Sequence, residues 1–234
     1  MTGENPREPA SLGQEIVAAE QRDVMSTRTD AERLRLIEQE LRTGFEKLGS
    51  CGPAVCVFGS ARTPQDAPEY AHARAVARAL GQAGMTVITG GGPGIMEAAN
   101  RGAQDAGVLS IGLNIMLPRE QGMNPYVDLG LTFDYFFTRK LMFVRYSQAF
   151  VVFPGGYGTL DEMFELLTLT QTGEAVRHPV ALVGSDYWNG LLEWMREQLL
   201  APGRISADDL ELAQVADDVD GIVAIARSGT VVSG

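Results

Sequence analysis

The stretch Ala149-Phe150-Val151-Val152-Phe153-Pro154-Gly155-Gly156-Tyr157-Gly158-Thr159-Leu160-Asp161-Glu162 decides how the chain is read. Ala149–Phe153 is apolar throughout rather than alternating, the pattern of a strand covered on both faces. Pro154 lacks the N–H that a strand ladder needs, and three glycines follow it. From Leu160 to about Gln171 the pattern turns helical. The whole is therefore a strand, a glycine turn and a helix.

The same unit recurs on either side. Ala54–Phe58 ends in Gly59-Ser60 and leads to a helix over Glu69–Ala83. Thr86–Thr89 ends in Gly90-Gly91-Gly92-Pro93-Gly94 and leads to a helix over Ile95–Asp105. Leu109–Leu113 reads as a third strand, followed by a long loop with Pro118, Gly122 and Pro125, then a helix over Thr138–Ser147. Val180–Val183 is a further strand, with helices around Tyr187–Leu199 and Asp217–Arg227. Apolar strands separated by helices of about 10 to 15 residues predict parallel βαβ units, hence an α/β, doubly wound parallel sheet. Upstream, Leu34, Ile37, Leu41, Phe45 and Leu48 form one apolar stripe of a helix that Thr29 or Asp30 can cap and Gly49 can end. The expected organisation is a mobile tail over residues 1–28, an N-terminal helix over 29–50 and one domain over 51–234.

Composition narrows the function. The 234 residues carry a net charge of −11, which repels phosphate backbones and argues against nucleic-acid binding. No run approaches the ~18 apolar residues of a membrane span, and Met1–Ser26 lacks a leader's apolar core. A soluble, cytoplasmic protein is expected. Cys51 and Cys56 form no disulfide or zinc pattern, and His72 and His178 have no partners at metal or triad spacing, so no metal is expected.

In a doubly wound sheet, ligands bind beyond the carboxyl ends of the strands. The glycine-rich ends at Gly59-Ser60, Gly90–Gly94 and Gly155–Gly158 let backbone N–H groups and helix N-termini approach a phosphate. A P-loop and a G-x-G-x-x-G fingerprint are both missing, which argues against a kinase, an NTPase or a dehydrogenase. Thr159 and Glu162 also fit a capping box, so Glu162 reads either as a cap or as a functional carboxylate. Glu97, in the first turn after Gly94, reads as structural. Arg62 faces either the phosphate or solvent. The run Phe133-Asp134-Tyr135-Phe136-Phe137 suits core, subunit interface or pocket wall.

The motif P-G-G-x-G-T-x-x-E, with G-G-G-P-G-I-M-E-A-A-N upstream, resembles the Lonely guy (LOG) family of cytokinin riboside 5′-monophosphate phosphoribohydrolases, often labelled lysine decarboxylase. The resemblance covers roughly Pro53 to Arg227. It implies a Rossmann-like fold, a homo-oligomer (a dimer or higher) and a cofactor-free enzyme. The implied reaction hydrolyses a nucleoside 5′-monophosphate, AMP or an N6-modified AMP, to free base and ribose 5-phosphate. On the family's pattern, Arg139 and Glu162 are the catalytic pair. Lys140 and the loop Gly155, Gly156, Tyr157, Gly158 and Thr159 bind substrate, as do Leu160 and Asp161 within the same motif. Glu120 in a P-R-E segment and Thr168 on the following helix join them, and Gly59, Ser60, Gly91 and Gly92 are possible contacts. Such a site cleaves by placing Glu162 where positive charge grows on the sugar or where water attacks. The segment through Ser50 departs from the shorter plant-type members, so a plant hormone role does not follow. Carriers of the molybdenum cofactor resemble the same fold and its glycine loops, so a non-catalytic ligand carrier is the alternative. A pyridoxal phosphate decarboxylase needs a Schiff-base lysine, and only Lys47 and Lys140 are present, beside seventeen arginines.

Overall fold

The computed structural model describes residues 12–17, 28–117 and 122–229. Within the expected tail, Leu12–Val17 forms a short helix, α1. The remaining tail residues up to 27 lie outside the described residues. Helix α2, Asp30–Leu48, starts at a capping box in which Thr29 and Glu32 bond each other's backbone N–H. The core then runs β1 (Ala54–Phe58), α3 (Pro68–Gln82), β2 (Thr86–Thr89), α4 (Ile95–Ala106), β3 (Ser110–Ile115), β4 (Leu129–Phe133), α5 (Phe136–Tyr146) and β5 (Ala149–Val152). It closes with α6 (Tyr157–Gln171), β6 (Val180–Leu182), α7 (Ser185–Met195), a π-helical turn at Arg196–Leu200, α8 (Ala207–Leu210), β7 (Ala213–Val215) and α9 (Val219–Ser228).

The seven strands form one parallel sheet in the order β4-β3-β2-β1-β5-β6-β7. The chain builds outward from β1 to β4, then crosses back to lay β5 against the other side of β1. The strand order therefore reverses between β1 and β5, and a crevice opens there at the carboxyl ends. Both faces are covered. Ala54, Cys56 and Phe58 of β1 join a core with Met142, Phe143, Met163 and Trp188, under α5, α6 and α7. Val55 and Val57 point the other way, into a core with Tyr70, Val76, Ala98 and Ile222 under α3, α4 and α9. Every residue of β1, β2 and β5 is buried, as the unbroken apolar runs predict.

Two readings need correction. The long loop after β3 contains β4, an edge strand whose Leu129, Leu131 and Phe133 alternate with exposed Gly130 and Thr132. The other edge strand, β7, also escapes the sequence reading. Helix α6 begins at Tyr157 with Gly156 as its N-cap and no side-chain cap, so Thr159 and Glu162 form no capping box. In the aromatic run, Phe133 and Tyr135 are core, whereas Phe136 and Phe137 are about half exposed. Among the described residues, no helix is long and apolar enough to cross a membrane.

Candidate active site

The crevice between β1 and β5 holds a pocket of about 790 Å³. It is lined by Phe58 to Arg62 after β1, by Gly90 and Met96 around α4, by Phe136 and Arg139 of α5, and by Gly155 to Glu162 at the start of α6. Backbone hydrogen bonds tie the three glycine-rich strand ends into one floor. Ser60 N–H donates to the Pro154 carbonyl at 3.0 Å, and Ile95 N–H to the Ser60 carbonyl at 3.0 Å. Gly94 permits this contact. Its φ is +68°, and a Cβ there would overlap the Ser60 carbonyl.

The α6 turn is packed on one side and open on the other. A Cβ on Gly155 would overlap the Thr159 side chain, whereas Gly156 and Gly158 have open space where a Cβ would stand. Tyr187 fastens the loop by donating its hydroxyl to the Gly155 carbonyl at 2.6 Å. The first-turn amides of Tyr157 and Gly158 have no acceptor within the helix, and no side chain caps them. The end of the helix dipole thus faces the pocket, an arrangement suited to an anion.

Glu162 lies one turn further along α6, half-buried, with no hydrogen bond to any described residue. Burial pushes its carboxyl up to about 7, against the downward pull of Arg139 and Lys140. Arg139 reaches the same pocket from α5. Its Nε donates to the Leu113 carbonyl at 2.8 Å, and its guanidinium sits 5.0 Å over the Phe143 ring. Burial pulls Arg139 down, and the Glu162 charge opposes that pull. The two make no direct ion pair, so each keeps hydrogen-bonding capacity for a ligand. Beneath them, fully buried Cys56 has its thiol pushed well up by burial and by the Glu162 charge, which leaves it unreactive.

The structure gathers most of the candidates and separates some. Gly59, Ser60, Arg139, Gly155, Gly156, Tyr157, Gly158, Thr159, Leu160, Asp161 and Glu162 all line the pocket. Lys140 does not. Its Nζ is held by Asp161 at 3.0 Å and by Glu165 at 2.6 Å, so it clamps α5 to α6, and Asp161 is correspondingly occupied. Thr168 lies exposed beyond the pocket, with its hydroxyl on the Phe164 carbonyl of its own helix. Gly91 and Gly92 are buried. Their carbonyls accept from the Asn124 side-chain amide at 3.1 and 3.0 Å, away from the pocket. Glu120 lies outside the described residues. Glu97 accepts from Gln65 and from the Tyr70 hydroxyl, a structural tie; burial, and then this bond to Glu97, push Tyr70 up to about 12. Arg62 lines the pocket mouth, as do Met96 and Phe136. Arg62 and the aromatic run holding Phe136 had been considered from sequence; Met96 had not, because it looks like an ordinary core residue there. No cluster of metal-ligating side chains occurs among the described residues.

A parallel sheet with a half-buried carboxylate, an unpaired guanidinium and an open helix N-terminus at its switch point defines a Rossmann-like α/β protein with a candidate site there. Residues 96–225 match the family described as "Possible lysine decarboxylase". The chain belongs to this family, the LOG family that its motif pair resembles. It is 34% identical over 125 residues to the cytokinin riboside 5′-monophosphate phosphoribohydrolase LOG4 of Arabidopsis thaliana, covering 52% of this chain and 57% of that protein. It is also 34% identical over 167 residues to the probable cytokinin riboside 5′-monophosphate phosphoribohydrolase LOGL3 of Oryza sativa subsp. japonica, covering 64% of this chain and 72% of that protein. The aligned region thus spans little more than half of the Arabidopsis relative. The molybdenum cofactor carrier protein of Chlamydomonas reinhardtii superposes with a TM-score of 0.56 at 23% identity, over 76% of this chain and 98% of that one, a likeness of fold. The family description suggests pyridoxal phosphate chemistry, but the lysines do not fit it. Lys47 is exposed on α2, and the Lys140 amine is bound by two carboxylates.

Proposed function

We propose that this protein hydrolyses the N-glycosidic bond of a nucleoside 5′-monophosphate, AMP or an N6-modified AMP, to free base and ribose 5-phosphate. The observation that carries the reading is the pairing of half-buried Glu162, with its carboxyl near 7, and unpaired Arg139 across one pocket from the open N-terminus of α6. The 5′-phosphate sits on the amides of the Gly155–Thr159 turn and anchors the sugar. Arg139 orients the substrate through its planar fork of donors. Ionised Glu162 stabilises the positive charge that grows on the ribose and takes a proton from the attacking water. Water oxygen bonds to the anomeric carbon, the bond to the base nitrogen breaks, the base takes up a proton from solvent, and Glu162 later returns its proton to solvent. Lys140 acts by holding Asp161 and Glu165, which fixes α6 beside α5.

A second copy of the chain suits the face made by exposed Phe136, Phe137 and Leu141 of α5 and Phe164 of α6, next to the pocket mouth. A homo-oligomer joined there would also enclose Thr168. The free thiols of Cys51 and Cys56 suit a reducing, cytoplasmic location. The test is incubation of the purified protein with AMP, an N6-modified AMP, other monophosphates and the matching nucleosides, with free base followed by chromatography. Release from monophosphates and not from nucleosides is expected. No release from any of them would overturn the proposal and favour a ligand carrier.

A further inference from the structure

The N-terminal helix α2 lies outside the sheet, yet it holds the start of the helix that carries Arg139. Helix α5 has no side-chain cap, and its N-cap residue is Tyr135. Glu40 of α2 braces the approach to that helix and its first turn from a distant part of the chain. One carboxylate oxygen accepts from the Asp134 amide at 2.6 Å, and the other lies 2.6 Å from the Thr138 hydroxyl. That hydroxyl is also 2.7 Å from the Tyr135 carbonyl. Thr138 is fully buried and immediately precedes Arg139.

The seat is close along the whole contact. A Cβ on Gly44 would meet the Met142 sulfur at 2.6 Å, and Arg145 stacks 4.8 Å over the Phe45 ring. The Arg139 side chain has one hydrogen bond among the described residues, to Leu113. Its placement, and that of the pocket-lining Phe136, therefore depends on the first turn of α5.

We infer that Glu40 is a positioning residue for the site, tying the Asp134 amide to the Thr138 hydroxyl across the α2–α5 contact and so setting Arg139. The inference rests on the proposed hydrolysis for its kinetic readout and on structure alone for its second one. The interaction is one of geometry more than charge. A glutamine at position 40 can accept from Asp134 with its oxygen and donate to the Thr138 hydroxyl, which then donates to Tyr135. Alanine can do neither.

The experiment compares Glu40→Ala, Glu40→Gln and Leu41→Ala in the full chain. Leu41 sits beside Glu40 and packs on the core, so its truncation controls for general loosening of α2. Glu40→Ala is expected to lower kcat about tenfold or more, with KM changed by less than about threefold. Glu40→Gln is expected to restore most of that activity, and Leu41→Ala to lower heat stability while sparing kcat. Hydrogen exchange over residues 134–140 is expected to quicken in Glu40→Ala and stay near wild type in Glu40→Gln. Wild-type kcat in Glu40→Ala, equal kcat losses in Glu40→Ala and Leu41→Ala, or unchanged exchange over 134–140 would each overturn the inference. A wild-type protein that releases no base would instead sink the proposed function, and the exchange comparison would still decide the role of Glu40.

Discussion

The turn after β2 and the turn after β5 look like equivalents in the sequence. Each ends a buried parallel strand, packs several glycines around a proline and opens a helix. In the first, Gly91 and Gly92 are buried under Asn124, whose side-chain amide also reaches Asn100 at 2.9 Å. Asn100 in turn accepts from the Thr89 hydroxyl at 2.7 Å. In the second, Gly156 and Gly158 face open space, and the helix amides beyond them are uncapped. Glycine serves close packing of backbone against side chain in one turn and access for a ligand in the other. Glycine density alone does not say which; the polar partners do.

The sharpest way to test this division is at Glu162, above the open turn. Glu162→Gln is expected to lower kcat by about 10²–10⁴-fold, the range of general acid–base catalysis, measured as base release. In the parent enzyme, kcat/KM is expected to rise with pH through about 7 as Glu162 ionises, and the variant is expected to lose that limb. Stability runs the opposite way. A carboxyl raised in the folded state is most at ease protonated, so ionised Glu162 weakens the fold as pH climbs from 4.5 to about 7. Glu162→Gln is thus expected to melt no lower than the parent at pH 8.

The closed turn responds in the other currency of measurement. Asn124→Ala strips the side-chain donor from the buried Gly92 carbonyl and one of two donors each from the Gly91 carbonyl and Asn100. A loss of about 2–3 kcal/mol in unfolding free energy is expected, with KM unchanged. A KM rise with stability intact would show that this turn also serves the ligand. The smallest effect is expected at Gly156→Ala, which meets no atom within 4 Å in the folded chain. Heat stability is expected to hold, while KM for the monophosphate rises about tenfold, the equivalent of ~1.4 kcal/mol. Unchanged KM would mean that the substrate does not approach this backbone.

Sequence reading located β1 and β2 to the residue because both faces of each strand are buried, so no side chain interrupts the apolar run. The edge strands were harder. Leu129, Leu131 and Phe133 alternate with Gly130 and Thr132, and a proline-rich approach concealed that period, while β7 has only three residues. The pocket's charged members were pointed to by the family resemblance of the motifs, but their pairings were not. Lys140 finds Asp161 and Glu165 across two helices, and Glu40 finds Thr138 98 residues away. Such contacts follow from helix packing, which local pattern does not encode. The apparent capping box at Thr159 misled for a related reason. The glycines let α6 start at Tyr157, which moves Thr159 into the first turn and Glu162 into the second.

The lysine clamp has a practical side. Lys47 and Lys140 are the only lysines, and the Lys140 side chain is 14% exposed within its two ion pairs. Arginine guanidinium stays protonated and resists acylation under conditions where an amine reacts. Among the side chains, an amine-reactive dye therefore has one ready target, Lys47 in the last turn of α2. A fluorophore attached there would sit on the helix that buttresses Arg139, giving an optical report on that contact without a label in the pocket.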